Sequence, residues 1–191
     1  MMRHVLKVLI LSAATAVVLA PTPARADGFF IPFGGVNFGN KPVEGNHSNW
    51  GFSAGGMGGG IIGGEFDFGF APNIFEESVK NNVLTLTGNL IVGVPVGGQR
   101  GAGIRPYLVG GLGYIRSHQV ASPGFAELNG HDAGFDLGGG VMGFFADHVG
   151  LRGDLRYFRT ISSDLFDSDA NPELKLGNLD FWRASIGLVI R

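Results

Sequence analysis

The chain has 191 residues, among them 34 glycines, 16 phenylalanines and no cysteine, with 16% charged residues and a formal net charge of −2. That length suits one domain, and the lack of cysteine removes disulfides and thiolate metal sites. Abundant aromatics argue against glycine-rich disorder, and an acidic balance argues against a nucleic-acid partner, which calls for a basic face.

The N-terminus reads as a secretory signal peptide. Arg3 and Lys7 supply a positive region, Val8 to Ala20 form an apolar run broken only by Ser12 and Thr15, and Ala24-Arg25-Ala26 is a small-x-small cleavage site. A transmembrane helix would need about 20 apolar residues. The expected division is 1–26 signal peptide and 27–191 mature domain. Arg3, Lys7 and Arg25 leave with the leader, so residues 27–191 hold 11 basic and 16 acidic side chains, a formal charge of −5.

Eight strand-like segments follow, at 28–39, 49–58, 60–71, 82–95, 103–117, 133–146, 149–160 and 179–191, with one candidate helical turn at Ile74 to Lys80. Successive side chains of a strand point to opposite faces. The third segment sets Ile62, Gly64, Phe66, Phe68 and Phe70 on one face and Glu65 and Asp67 on the other. A soluble sandwich would turn the Phe face to a core, whereas a membrane barrel would turn it to lipid and the carboxylates to a polar lumen. The fourth segment sets Leu84, Leu86, Leu90, Val92 and Val94 against Thr85, Thr87 and Asn89. The fifth sets Pro106, Leu108, Leu112 and Tyr114 against Arg105 and Tyr107. The seventh sets Val149, Leu151, Leu155 and Tyr157 against Arg152, Asp154, Arg156 and Phe158, and the eighth sets Trp182, Ile186, Leu188 and Ile190 against Arg183 and Ser185.

One face of each segment is thus almost uncharged, and the other collects Glu65, Asp67, Asp136 and Asp154 with Arg105, Arg152, Arg156 and Arg183. Buried charges need partners, so these eight are expected to form a lumenal ion-pair network. The connections alternate. Long polar stretches follow segments one, three, five and seven, and short or glycine-rich links follow two, four and six. Short turns on one side and long loops on the other mark an outer-membrane barrel, and an even strand count puts both termini on the short-turn, periplasmic side.

The segments Ile31-Pro32-Phe33-Gly34-Gly35-Val36-Asn37-Phe38-Gly39, Arg105-Pro106-Tyr107-Leu108-Val109-Gly110-Gly111-Leu112-Gly113-Tyr114 and Gly150-Leu151-Arg152-Gly153-Asp154-Leu155-Arg156-Tyr157 resemble the outer-membrane β-barrel domain family, and are similar to small OmpA/OmpX-type barrels, the porin family in the loose sense. The resemblance implies an all-β, eight-stranded, up-and-down antiparallel transmembrane barrel in a bacterial outer membrane. It also implies lumenal Arg–carboxylate pairs and insertion by the barrel-assembly machinery. Such barrels usually finish on an aromatic residue. This chain finishes Gly187-Leu188-Val189-Ile190-Arg191.

Other chemistry is weaker. Gly58-Gly59-Gly60-Ile61-Ile62-Gly63 matches G-x-G-x-x-G, but a strand follows where a dinucleotide site needs a helix, so a tight turn is expected. Glu65 and Asp67 share a face without a histidine, which favours ion pairing over a transition-metal site or acid–base work. His47, His118, His131 and His148 fall in segments read as loops or turns. An enzyme reading would recruit Ser117-His118 or His131-Asp132, but adjacent strand residues point apart. Lipid A deacylases share this barrel class and carry a His-x-Ser pair, which is absent here.

Tyr114 with Arg116, and Tyr157 with Arg159, lie on the lipid-facing parity at the outer ends of their strands. Tyr suits a membrane interface and an Arg beyond it can clamp a lipopolysaccharide phosphate. The sequence thus predicts a monomeric structural or surface-interaction barrel, serving adhesion or membrane integrity, with its lumen plugged by ion pairs. No catalytic residue, metal or cofactor is expected. The expected partners are outer-membrane lipids and lipopolysaccharide, with no nucleic acid. The alternatives are a lipid A-modifying enzyme or a small-solute pore.

Overall fold

The computed structural model describes residues 26–39, 45–74, 81–97, 101–119, 128–161 and 179–191. Eight strands run in chain order: β1 (Ala26–Phe38), β2 (His47–Gly58), β3 (Ile62–Pro72), β4 (Asn81–Gly93), β5 (Gly103–Gln119), β6 (Leu128–Phe144), β7 (Val149–Ile161) and β8 (Asp180–Ile190). Each pairs antiparallel with the next, and β1 pairs with β8 to close the barrel. Closure leaves no sheet edge, so every strand can satisfy its backbone within the wall. Among the described residues there is no helix. The leader and most of the candidate helical turn, residues 75–80, lie outside the described residues.

The period-two pattern fixes the faces. Along β3, Glu65, Asp67 and Gly69 are buried while Phe66 is 43% exposed. On β5, Leu108 and Leu112 are exposed at 71% and 67%, and Tyr107 and Val109 between them are buried. The large exposed aliphatic side chains therefore form the outer wall, as a barrel in lipid requires.

Inside, the side chains sort into layers. Phe29, Ile31, Met57, Ile91, Tyr107, Val109, Met142, Phe144 and Val189 form an apolar cluster at the short-turn end. Ala71, Ile74, Val83, Ile115, Phe158, Leu179 and Phe181 form another at the long-loop end. The buried ionic residues other than Arg105 lie between them.

Turn chemistry explains the short end. Gly59 and Gly60 have φ of 58° and 72°, and Ile61 N–H donates to the Gly58 carbonyl at 3.1 Å. Two consecutive positive φ values match the twist of a two-residue hairpin and favour glycine. The G-x-G-x-x-G match is this turn, with β3 after it. The β4–β5 connection keeps pairing beyond the wall through Val96 and Ile104, and Gly101 N–H donates to Asp147 Oδ1 at 2.6 Å, docking it on the β6–β7 turn.

At the opposite end the strands outrun the sequence segments. The β5–β6 ladder extends to Gln119 opposite Leu128, which brings His118 and His131 into strands, and β2 begins at His47. Of the four histidines read as loop or turn residues, only His148 lies in a turn. Polar residues there look like loop in sequence because the ladder continues past the apolar band.

Candidate functional site

The candidate site is the ionic layer of the interior. Four strands supply its charges by simple alternation: Glu65 and Asp67 from β3, Asp136 from β6, Arg152, Asp154 and Arg156 from β7, and Arg183 from β8. All are buried, Asp67 completely.

Arg156 is the hub. Its Nη2 reaches Glu65 Oε1 at 2.6 Å, its Nε reaches Asp154 Oδ1 at 2.7 Å, and its Nη1 lies 3.4 Å from Asp136 Oδ2 and 3.7 Å from Asp67 Oδ2. Arg152 pairs with the other oxygen of Glu65 and, through Nη2, with Asp154 Oδ2 at 2.9 Å. Its Nε donates to the Tyr107 hydroxyl at 2.6 Å, and that hydroxyl donates to Asp154. Arg183 Nη2 grips both oxygens of Asp67 at 2.8 and 2.9 Å, and Ser53 Oγ donates to Asp67 Oδ2 at 2.9 Å. The Arg183 guanidinium also lies between the rings of Phe33 and Phe158, 4.6 and 4.7 Å from their centroids. With its amide turned to satisfy both ends, Asn89 donates to Asp136 Oδ1 at 2.7 Å and accepts from Arg156 Nη1 at 3.0 Å.

Seven of the eight sequence-assigned charges are therefore brought together. Arg105 is not. It is buried, but it sits in the short-turn half, with Nη1 3.9 Å from Met57 Sδ and its guanidinium 5.2 Å from the centre of the Phe144 ring. On β5 the level of Asp136 is Gly111, its register partner, and Arg105 lies six residues below, about 20 Å along the strand. Parity put it on the right face at the wrong height. Tyr107, Ser53 and Asn89 join the network and were not assigned to it. Their inward parity was the available signal, but nothing local names a partner across the barrel.

Two cavities, each of about 10 Å³, flank Arg183, whose Nε and Nη1 have no protein partner. Each is large enough for about one water molecule. Among the described residues no group of three or more His, Asp or Glu is placed to hold a metal. Ser117 is buried in the wall's interior face, whereas His118 next to it is half-buried with the opposite parity.

On the outer wall, Tyr114 and Arg116 of β5 and Arg159 of β7 are exposed near the long-loop end. Tyr157 is half-buried, with its ring 5.3 Å from Trp182 and 6.4 Å from Phe135, and its hydroxyl donates to Asp180 Oδ2 at 3.1 Å. These rings form one side of an interfacial aromatic girdle.

The family model for the outer membrane protein beta-barrel domain matches residues 10–189. The chain belongs to that family. Its fold is similar to that of Neisserial surface protein A, with a TM-score of 0.67 at 14% identity over 87% of this chain and 98% of the other. It is also similar to the N-terminal β-barrel domain of OprF from Pseudomonas aeruginosa, with a TM-score of 0.55 at 15% identity over 87% and 98%. The attachment invasion locus protein Ail of Yersinia pestis follows, with a TM-score of 0.50 at 11% identity over 85% and 97%. No curated protein sequence matches the chain. Family and fold together identify a small outer-membrane β-barrel protein.

Proposed function

We propose that this barrel is a structural and surface-interaction protein of the bacterial outer membrane, monomeric, without catalytic activity, and closed to solutes through its lumen. The observation that carries this reading is the layering of the interior. Ion pairs span the lumen between two apolar clusters, and the cavities beside Arg183 hold about one water molecule each. An eight-stranded barrel has an interior just wide enough for side chains to fill it. The buried carboxylates are engaged by guanidinium groups, which leaves them unsuited to act as an acid–base pair. The similarity to a surface protein and to an attachment protein supports a role at the cell surface.

The leader is read as a cleaved export signal, and β1 starts at Ala26, so cleavage after that residue removes only the first residue of the strand. Tyr114 with Arg116 and Tyr157 with Arg159 are assigned to lipopolysaccharide, the arginines contacting phosphate just beyond the aromatic girdle. Insertion is assigned to the barrel-assembly machinery. The test is electrical. Purified protein in planar bilayers is expected to show no large, stable conductance, and a steady porin-sized current from the unmodified protein would refute the closed lumen.

A further inference from the structure

The lipid-facing wall is uneven. On β1–β3 it carries a ladder of rings, with centroids 5.6 Å apart for Phe30 and Phe52 and 5.4 Å apart for Trp50 and Phe70. At the β1–β8 seam it instead bears a shallow, open apolar groove lined by Pro32, Phe33, Gly34, Leu151, Ile186, Gly187 and Leu188.

Two residues of β1 make the groove. Pro32 has no N–H to give to the ladder, and the β1–β8 pairing passes from Phe30 opposite Ile190 to Phe33 opposite Gly187. Gly34 leaves the floor bare, since a Cβ there would meet nothing nearer than the Asn49 carbonyl oxygen at 3.8 Å. Gly153, opposite Ile186 on β7, has open space around it as well. Ile186, 64% exposed, stands beside this floor.

Above the groove the same wall leads to the long-loop end. The outward residues of β8 run Leu188, Ile186, Ala184 and Trp182, about 20 Å along the strand. With the usual tilt of about 40° this is roughly 15 Å of depth, half of a hydrocarbon core of about 30 Å. The groove therefore lies where the tails of outer-leaflet lipids end. Trp182 and Tyr157 mark the headgroup level, with exposed Arg159 just beyond. Asp180 shares this corner, opposite Arg159 in register and bonded by the Tyr157 hydroxyl at 3.1 Å. Charge at the corner is partly offset, so apolar contact must contribute to holding a lipid there.

We infer that the groove seats one acyl chain of a lipopolysaccharide molecule whose phosphate lies at Arg159, an inference that rests on the Tyr157–Arg159 assignment above. A lipid with several chains on one phosphorylated headgroup presents a chain beside the groove whenever the phosphate is bound, which raises its effective concentration there.

The test measures lipid retained by the refolded full-length protein after exchange into lipid-free detergent. The probes are hexa-acylated lipid A, its fully deacylated bisphosphorylated disaccharide, and phosphatidylglycerol. Gly34→Phe fills the groove, and Gly88→Phe is the control, because Gly88 also faces lipid with nothing near its Cβ position. Gly34→Phe is expected to lower lipid A retention severalfold, by removing packing contacts along the acyl chain, without changing disaccharide binding. Gly88→Phe is expected to change neither. Arg159→Ala is expected to weaken both lipid A and the disaccharide. Unchanged lipid A retention in Gly34→Phe overturns the acyl seat, even if Arg159→Ala still weakens binding. Loss in Gly34→Phe with none in Arg159→Ala keeps the seat and overturns the phosphate assignment. Equal retention of phosphatidylglycerol overturns the choice of lipopolysaccharide as occupant.

Discussion

Arg156 touches four carboxylates and Arg152 two, so removing either increases the uncompensated negative charge buried in the layer. Breaking one side of a buried pair costs about 3–5 kcal/mol. Arg152→Ala is expected to lower the unfolding free energy by that order in urea titrations of the detergent-refolded barrel. Arg105→Ala is expected to cost less, because it strips no carboxylate of the layer and its contacts include Met57 and Phe144 instead. The layer also has four carboxylates for three arginines. Asp136 is farthest of the four from its nearest arginine, at 3.4 Å, and that arginine is shared. Asp136→Asn is therefore expected within about 1 kcal/mol of the parent, since neutralising it removes the surplus charge, whereas Asp67→Asn weakens the Arg183 grip and is expected to cost about 1.5–3 kcal/mol. Equal losses for the two would show that the surplus is not at Asp136. What was legible here follows from alternation: which charges face inward could be read strand by strand. Partner choice depends on register and tilt, which relate residues such as Glu65 and Arg152 across the barrel, and no local pattern encodes that. Arg105 shows the consequence.

At the scale of elements, β6 is the strand that makes room. Its inward glycines 138 and 140 face the bulkiest lumenal groups. A Cβ at Gly138 would lie 2.8 Å from Arg156 Cγ, and one at Gly140 would lie 2.9 Å from Tyr107 Cζ. Gly140→Val is expected to displace Tyr107 from the Arg152–Asp154 link and to reduce refolding yield, read by the heat-modifiable shift in gel mobility. Gly88→Val on the lipid side is expected to refold as the parent does, because its Cβ position is open. Glycine abundance in the sequence points to crowding or bending in a barrel, but which glycine yields to which side chain depends on the neighbouring strand. The strand ends were least legible where polar residues continue the ladder. His47 and His118 are paired because the wall extends beyond the apolar band, and hydropathy marks the band rather than the hydrogen bonds.

For the whole molecule, the order of layers along the axis decides what crosses it. A path through the lumen meets an apolar cluster containing Phe158 and Phe181, then the ionic layer, then a second cluster containing Met57, Ile91 and Phe144. Phe158 and Phe181, register partners on β7 and β8, stack at 5.2 Å with 9° between their planes. Apolar constrictions block ions by excluding water even where charge lies next to them. Neutralising Glu65 and Asp67 together is therefore expected to destabilise the barrel, by leaving Arg183 without a carboxylate and Arg152 and Arg156 with fewer, without producing a steady current in planar bilayers. Adding Phe158→Ala and Met57→Ala to that variant opens both clusters as well, and brief conductance steps are expected to appear only then. If the Glu65→Gln/Asp67→Asn protein alone conducts steadily, the ion pairs are the barrier and the apolar clusters are not. If the fourfold variant remains silent while still folded, the remaining interior side chains, Arg156 and Tyr107 foremost, fill the lumen on their own.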